Sequence, residues 1–178
     1  MLKEPVMDTI TDQREFNRRR WKELCADPVF RNHDLRIETD RFGRALTMST
    51  PPTFEHGGFQ SNILCELRRQ LASGDSITEC PVSTSEGVKA ADVIWISQAR
   101  KRKALRYGLL DMAPEICVEV LSPCNTREEM MEKKRLYFEA GAKEVWFCDR
   151  SGTMHFYLAA SPDNPARSLL CPKFPRRM

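Results

Sequence analysis

No stretch of this 178-residue chain is long and apolar enough to cross a bilayer, which takes about 20 such residues. The opening Met1-Leu2-Lys3-Glu4-Pro5 lacks the apolar core of a secretory signal, so a cytoplasmic location with reduced thiols is expected. Seven cysteines (Cys25, Cys65, Cys80, Cys117, Cys124, Cys148 and Cys171) stand far apart, and no two have Cys-x-x-Cys spacing. That excludes the common zinc-ribbon and thiol-redox motifs. Glycine is scarce, at eight residues, and none falls in a phosphate-cradling loop, which argues against a nucleotide-binding enzyme. His33 and His155 have no partners at ligand spacing and are expected at the surface, and Ser122 has no histidine pattern that would make it a nucleophile. The net charge of +3 permits a polyanionic partner but falls below that of a dedicated nucleic-acid binder.

What the chain does have is an ordinary globular balance, with 41% hydrophobic and 30% charged residues. Its length suits one main domain with a sizeable core. Residues 1–30 read as an N-terminal helical extension and 31–178 as the domain proper. In the extension, residues 12–25 suit a helix with Phe16, Trp21 and Leu24 as its apolar positions. Arg14, Arg18, Arg19, Arg20 and Lys22 are either a phosphate-contacting face or, the preferred reading, the solvated side of a helix docked by its aromatics.

The pattern then predicts short strands at 35–38 and 45–48, a rigid Pro51-Pro52-Thr53 connector, and a helix over 54–72. That helix carries Phe59, Ile63, Leu64, Leu67 and Leu71 as one buried stripe. Strands follow at 77–82, 90–96 and 114–121, with a basic loop between the last two at 98–108. A helix over 126–140, opened by Asn125 or Thr126 and stopped at Gly141, leads to a hairpin of strands 144–148 and 154–158. Trp95 and Trp146 belong to the core. The tail from Ser161 is expected to be irregular, packing through Leu169, Leu170 and Phe174. This order suits a mixed sheet flanked by helices, an α/β (α+β) layer fold.

Two strands each carry a carboxylate inside an apolar run: Asp92 in Ala90-Ala91-Asp92-Val93-Ile94-Trp95-Ile96 and Glu119 in Ile116-Cys117-Val118-Glu119-Val120-Leu121. An ionised carboxylate there is costly unless paired or holding a metal. On neighbouring strands the two can share a hard divalent cation, magnesium or manganese, with the Val120 backbone carbonyl as a further oxygen. Lys133, four residues before Tyr137, is the candidate cation for orienting water or offsetting developing charge, with Lys134 as its rival. The competing reading pairs both carboxylates with arginines at strand ends. Arg100-Lys101-Arg102-Lys103 either grips a nucleic-acid backbone or is solvated.

The series His56-Gly57, Gly87-Val88-Lys89-Ala90-Ala91-Asp92-Val93, Pro114-Glu115-Ile116-Cys117-Val118-Glu119-Val120-Leu121-Ser122-Pro123, Lys133 to Tyr137 and Gly141-Ala142-Lys143-Glu144-Val145-Trp146 resembles the Uma-two family. That family belongs to the PD-(D/E)XK, restriction-endonuclease-like superfamily, and the resemblance covers roughly 35–157. It implies a restriction-endonuclease-like core, a magnesium- or manganese-dependent endonuclease acting on DNA, and a homodimer that cuts two strands. Asp92 matches the motif aspartate and Glu119 the second acid. Ala91 replaces the motif proline, and Leu121 stands where the superfamily has its lysine, so the resemblance implies a lysine from the next helix. A third acidic residue is usual; Glu55 and Glu38 both qualify by position, and His56 can line the pocket instead.

Overall fold

The computed structural model describes residues 10–33, 36–47 and 53–178, with the side chains of residues 10, 11, 32, 33 and 47 set aside. Leu35, Met48, Pro51, Pro52, the first five residues and the His33 side chain, all read above, lie outside that description.

The elements in order are α1 (Ile10–Ala26), α2 (Pro28–His33), β1 (Ile37–Thr39), β2 (Ala45–Thr47), α3 (Phe54–Gln70), β3 (Gly74–Thr84), β4 (Gly87–Ser97), α4 (Gln98–Ala104), β5 (Leu105–Arg106), β6 (Leu109–Leu110), β7 (Ile116–Val120), α5 (Arg127–Glu139), β8 (Glu144–Cys148), β9 (Met154–Leu158) and β10 (Ser161–Ala166). Eight strands form one mixed sheet in the order β10-β9-β8-β7-β4-β3-β6-β5, and β1 pairs with β2 as a separate ribbon. β7 and β8 run parallel, which demands a crossover, and α5 supplies it. Thr126 and Glu129 open α5 with reciprocal side-chain to backbone bonds, satisfying two of the N–H groups that a helix start leaves unpaired. No helix among the described residues is long and apolar enough to cross a membrane.

Strand alternation divides the core in two. On one face Ile94, Ile96, Cys117, Val145 and Phe147 pack with Met130 and Tyr137 of α5. On the other Val93, Trp95, Val118 and Trp146 pack with Ile63 and Leu67 of α3 and with Cys171 and Phe174 of the tail. Trp146 is fully buried and meets the Phe156 ring edge-on at 5.0 Å. Beside it Glu144, also buried, accepts from the Trp146 indole at 2.7 Å and from the Leu169 and Leu170 N–H groups at 2.8 Å each, tying the tail to the sheet. α1 docks through Trp21 and Leu24 against Ile37, Val88 and Leu109. Asn17 fixes its placement by donating to Ser83 Oγ and Thr84 O, both at 2.9 Å.

Three expectations are corrected. Residues 98–108 are a capped helix and a small hairpin, because Ser97 accepts from the Arg100 N–H and Ala104 is buried beneath. The tail begins with β10, which joins the sheet at its edge despite Pro162 and Pro165; an edge strand tolerates the missing donors. Leu169 is 74% exposed and does not pack, unlike Phe174 at 4%.

Arg100 has a structural use. Its guanidinium donates to Ala113 O at 2.9 Å and Gly141 O at 2.7 Å, and lies 3.4 Å from the Glu115 carboxylate. Arg100→Ala should lower unfolding free energy by about 2–3 kcal/mol, since a charged donor leaves buried acceptors unpaired. Arg102→Ala, on the exposed side of the same helix, should stay within about 0.5 kcal/mol. Urea denaturation followed by circular dichroism compares the two.

Candidate active site

β4 and β7 are antiparallel with Val93 opposite Val118 and Ile94 opposite Cys117. One step further, that register sets Asp92 across from Glu119. Residues so opposed have Cβ atoms about 4.5–5.5 Å apart on the same face, and this face lies toward α5. Both carboxylates are 3% exposed. Asp92 Oδ2 accepts from the Val120 N–H at 2.7 Å. A strand residue turns its N–H and C=O toward the same edge, so the Val120 carbonyl also faces Asp92. Asp92 Oδ1 accepts from Arg36 Nη2 at 2.8 Å, with His56 Nε2 at 3.7 Å. His56 is delivered by the first turn of α3, where its N–H bonds the Thr53 hydroxyl at 3.2 Å.

Glu119 is held from the helix above. Its Oε1 accepts from the Tyr137 hydroxyl at 2.6 Å and its Oε2 lies 3.3 Å from Lys133 Nζ. Lys133 and Tyr137 stand one turn apart on α5 and therefore share a face. Lys133 Nζ also contacts Glu38 Oε1 at 2.8 Å, and that oxygen accepts from the Ala90 N–H at 3.1 Å.

The charges are unequal. Glu119 and Glu38 hold Lys133 protonated, raising its pKa against the burial that would lower it. Burial pushes Glu119 up from 4.5 to about 7, with Asp92 and Glu38 adding to it and Lys133 and Tyr137 only partly offsetting it. Asp92 is buried too, but His56, Arg36 and the Val120 N–H favour its charged form and keep its pKa below the ordinary value. The Asp92 carboxylate in turn raises the His56 pKa against burial.

The structure thus brings Asp92, Glu119, Lys133 and Glu38 together, with His56 at the margin. Glu55 is exposed on the first turn of α3, whereas Glu38 is buried and meets Lys133. Lys134 turns away, donating to Pro162 O at 2.6 Å and covering the Tyr157 ring. The Arg100 to Lys103 run is not at the site. Arg100 is spent on the contacts above and Lys101 binds Asp75 at 2.6 Å, so half of that run serves the fold, while Arg102 and Lys103 are exposed. His155, expected at the surface, is partly exposed and lies 3.0 Å from Asp149. Tyr137, Arg36 and Gln60 were missed. Arg36 stands two residues before Glu38, and that spacing places both on one face of an extended strand, which was the available signal. Two residues beyond Glu119, a cavity of about 630 Å³ opens between Leu121, Met130, Phe147 and Tyr157, with exposed Arg127 and Arg150 also lining it.

A mixed sheet that presents two opposed buried carboxylates and an ammonium beneath its crossover helix has the architecture of a nuclease fold. A family model described as "Putative restriction endonuclease", Uma2, matches residues 20–164, and the chain belongs to that family. Among solved structures it is similar to "a putative nuclease belonging to DUF820" from Anabaena variabilis ATCC 29413. That protein is 16% identical, the alignment covers 72% of this chain and 73% of the other, and the TM-score is 0.57. At that identity the likeness is one of fold. No curated protein matches.

The raised Glu119 pKa has a consequence for stability. Between pH 4.5 and about 7 the folded protein keeps a proton that the unfolded chain has released, so this group's contribution falls as pH rises through that window. Below it both states are protonated and the contribution is flat. Glu119→Gln, neutral throughout, should gain stability relative to wild type as pH rises. Urea midpoints of both proteins from pH 4 to 8 measure this, and parallel curves would place the proton on another group.

Proposed function

We propose that this protein is a magnesium- or manganese-dependent endonuclease that hydrolyses phosphodiester bonds of DNA. The observation that carries the reading is the opposition of Asp92 and Glu119 in register, with Lys133 Nζ 3.3 Å from Glu119. Among the described residues, no three His, Cys, Asp or Glu side chains close into a metal cluster. Magnesium is commonly held by only one or two carboxylates and keeps several waters. Asp92, Glu119 and the Val120 carbonyl, all hard oxygen donors, fit that requirement. When bound there, such an ion supplies Lewis-acid chemistry, easing the deprotonation of water and offsetting phosphodiester charge.

The chain's own groups divide the remaining work. Lys133, held protonated, serves as a fixed positive charge toward a phosphate oxygen as negative charge builds there, rather than as a base. Glu38 fixes the lysine and is itself fixed by the Ala90 N–H. Tyr137 holds the Glu119 carboxylate in one orientation. Arg127 and Arg150, which line the cavity bordered by Leu121, are assigned to the backbone of the bound strand. A homodimer belongs to this reading, because cutting both strands calls for two such sites, and so does a cytoplasmic location.

One observation favours a second reading, an inactive nuclease-fold module for nucleic-acid binding or assembly. All four oxygens of Asp92 and Glu119 already have protein partners. Calorimetric titration with manganese separates the two, since an inactive module would take up the ion weakly or not at all.

With magnesium or manganese present, wild type should nick supercoiled plasmid. Asp92→Asn and Glu119→Gln should abolish nicking, and Lys133→Ala should slow it about 10²–10³-fold, the usual scale for removing one such stabilising group. Far-UV circular dichroism should be unchanged in all three. Absence of cleavage by wild type on plasmid, linear and single-stranded DNA would overturn the enzyme reading.

A further inference from the structure

Glu79, in the middle of β3, has a backbone φ of 52°, a left-handed conformation that costs energy in a residue other than glycine. The β3 to β4 register pairs Thr78 with Val93 and Cys80 with Ala91, so Glu79 stands opposite Asp92 at the one step where the ladder is interrupted. Its side chain ends against two groups that also reach Asp92. Glu79 Oε2 lies 2.6 Å from Arg36 Nε, and Oε1 accepts from Gln60 Nε2 at 2.6 Å. Arg36 Nη2 bonds Asp92 Oδ1 at 2.8 Å and Ala90 O at 2.9 Å. Gln60 Nε2 lies 3.4 Å from the Asp92 carbonyl oxygen. The strained residue is therefore the hub of the contacts on one side of Asp92.

We propose that Arg36 is a resident counter-cation of Asp92 and that Glu79 is the positioning residue that keeps Arg36 in place when Asp92 takes a divalent ion. This rests on the metal-dependent reading above. Each Asp92 oxygen already accepts one hydrogen bond, Oδ2 from the fixed Val120 backbone and Oδ1 from the Arg36 side chain, so a cation taken up at Oδ1 shares that oxygen with Arg36. A guanidinium with no other anchor would resist losing that carboxylate, because it would be left half-buried and uncompensated. Glu79 and Ala90 O give it partners that do not depend on Asp92. Glu79 thus sets the metal affinity of the site through Arg36, at the expense of local backbone strain.

Manganese titration by calorimetry on the full chain tests this with Arg36→Gln, Glu79→Gln and the double variant, each checked for folding by circular dichroism. Glu79→Gln should weaken manganese binding about tenfold and Arg36→Gln should tighten it by a similar factor, the scale of coupling between contacting charges. The double variant should match Arg36→Gln alone. Simple electrostatics also gives the two single variants opposite signs, but it makes them additive. Additivity, or no change in Glu79→Gln, overturns the proposal while leaving the metal-dependent reading intact. If neither wild type nor Arg36→Gln binds manganese, both fail. Glu79→Asn, whose side chain tolerates left-handed backbone, replaces Glu79→Gln if the latter does not fold.

Discussion

Holding three carboxylates out of water on one face of a sheet is the constraint that shapes this end of the molecule. An unpaired buried carboxylate costs more than any single packing contact returns, so each of Asp92, Glu119 and Glu38 must be met by donors from several elements. Asp92 draws on β7 through the Val120 N–H and on the segment before β1 through Arg36. Glu119 draws on α5 through Tyr137 and Lys133, and Glu38 draws on β4 and α5. The β1–β2 ribbon, β4, β7 and α5 are therefore tied together by charge as well as by apolar packing. At Glu119 burial outweighs what the shared lysine and Tyr137 return, and its pKa stays raised.

Local pattern made most of the sheet legible. Long β-branched runs around Asp92 and Glu119 are buried on both faces, and such runs leave little choice of element. The start of α5 follows from Thr126 and Glu129, whose capping chemistry is complete within four residues. Where pattern failed, the deciding contact was distant or the local signal was masked. Arg100-Lys101-Arg102-Lys103 has no apolar period, and its helix exists because Ser97 caps it and Arg100 reaches Ala113 and Gly141. Two prolines hid β10, whose pairing with β9 is an edge contact.

The site was half legible for the same reason. A carboxylate inside an apolar strand announces itself, so Asp92 and Glu119 stood out. Tyr137 did not, because a tyrosine on the buried side of a helix is fully explained by packing until its hydroxyl is seen to donate to Glu119. Glu38 and Glu55 could not be separated by spacing, since the choice depends on how the β1–β2 ribbon folds back over β4. Arg36 pairs with an acid 56 positions away, a distance at which no periodicity connects them.

Leu121 bears on how positive charge reaches Glu119. Side chains two residues apart on a strand share a face, so a lysine at position 121 would have projected beside Glu119 toward α5. Leu121 instead packs against the apolar cluster under that helix, and the ammonium arrives from above through Lys133. The charge is delivered to Glu119 from a different element. One consequence is a change in what fixes its position. A strand lysine is held by the sheet itself, whereas Lys133 is only as well placed as α5 is, and α5 is seated by Met130, Leu136 and Tyr137. Tyr137, one turn beyond Lys133, joins both functions: its ring seats the helix and its hydroxyl orients the carboxylate that Lys133 faces. Packing of the crossover helix and geometry of the acidic pair are thereby one property, which a lysine on β7 would have kept separate.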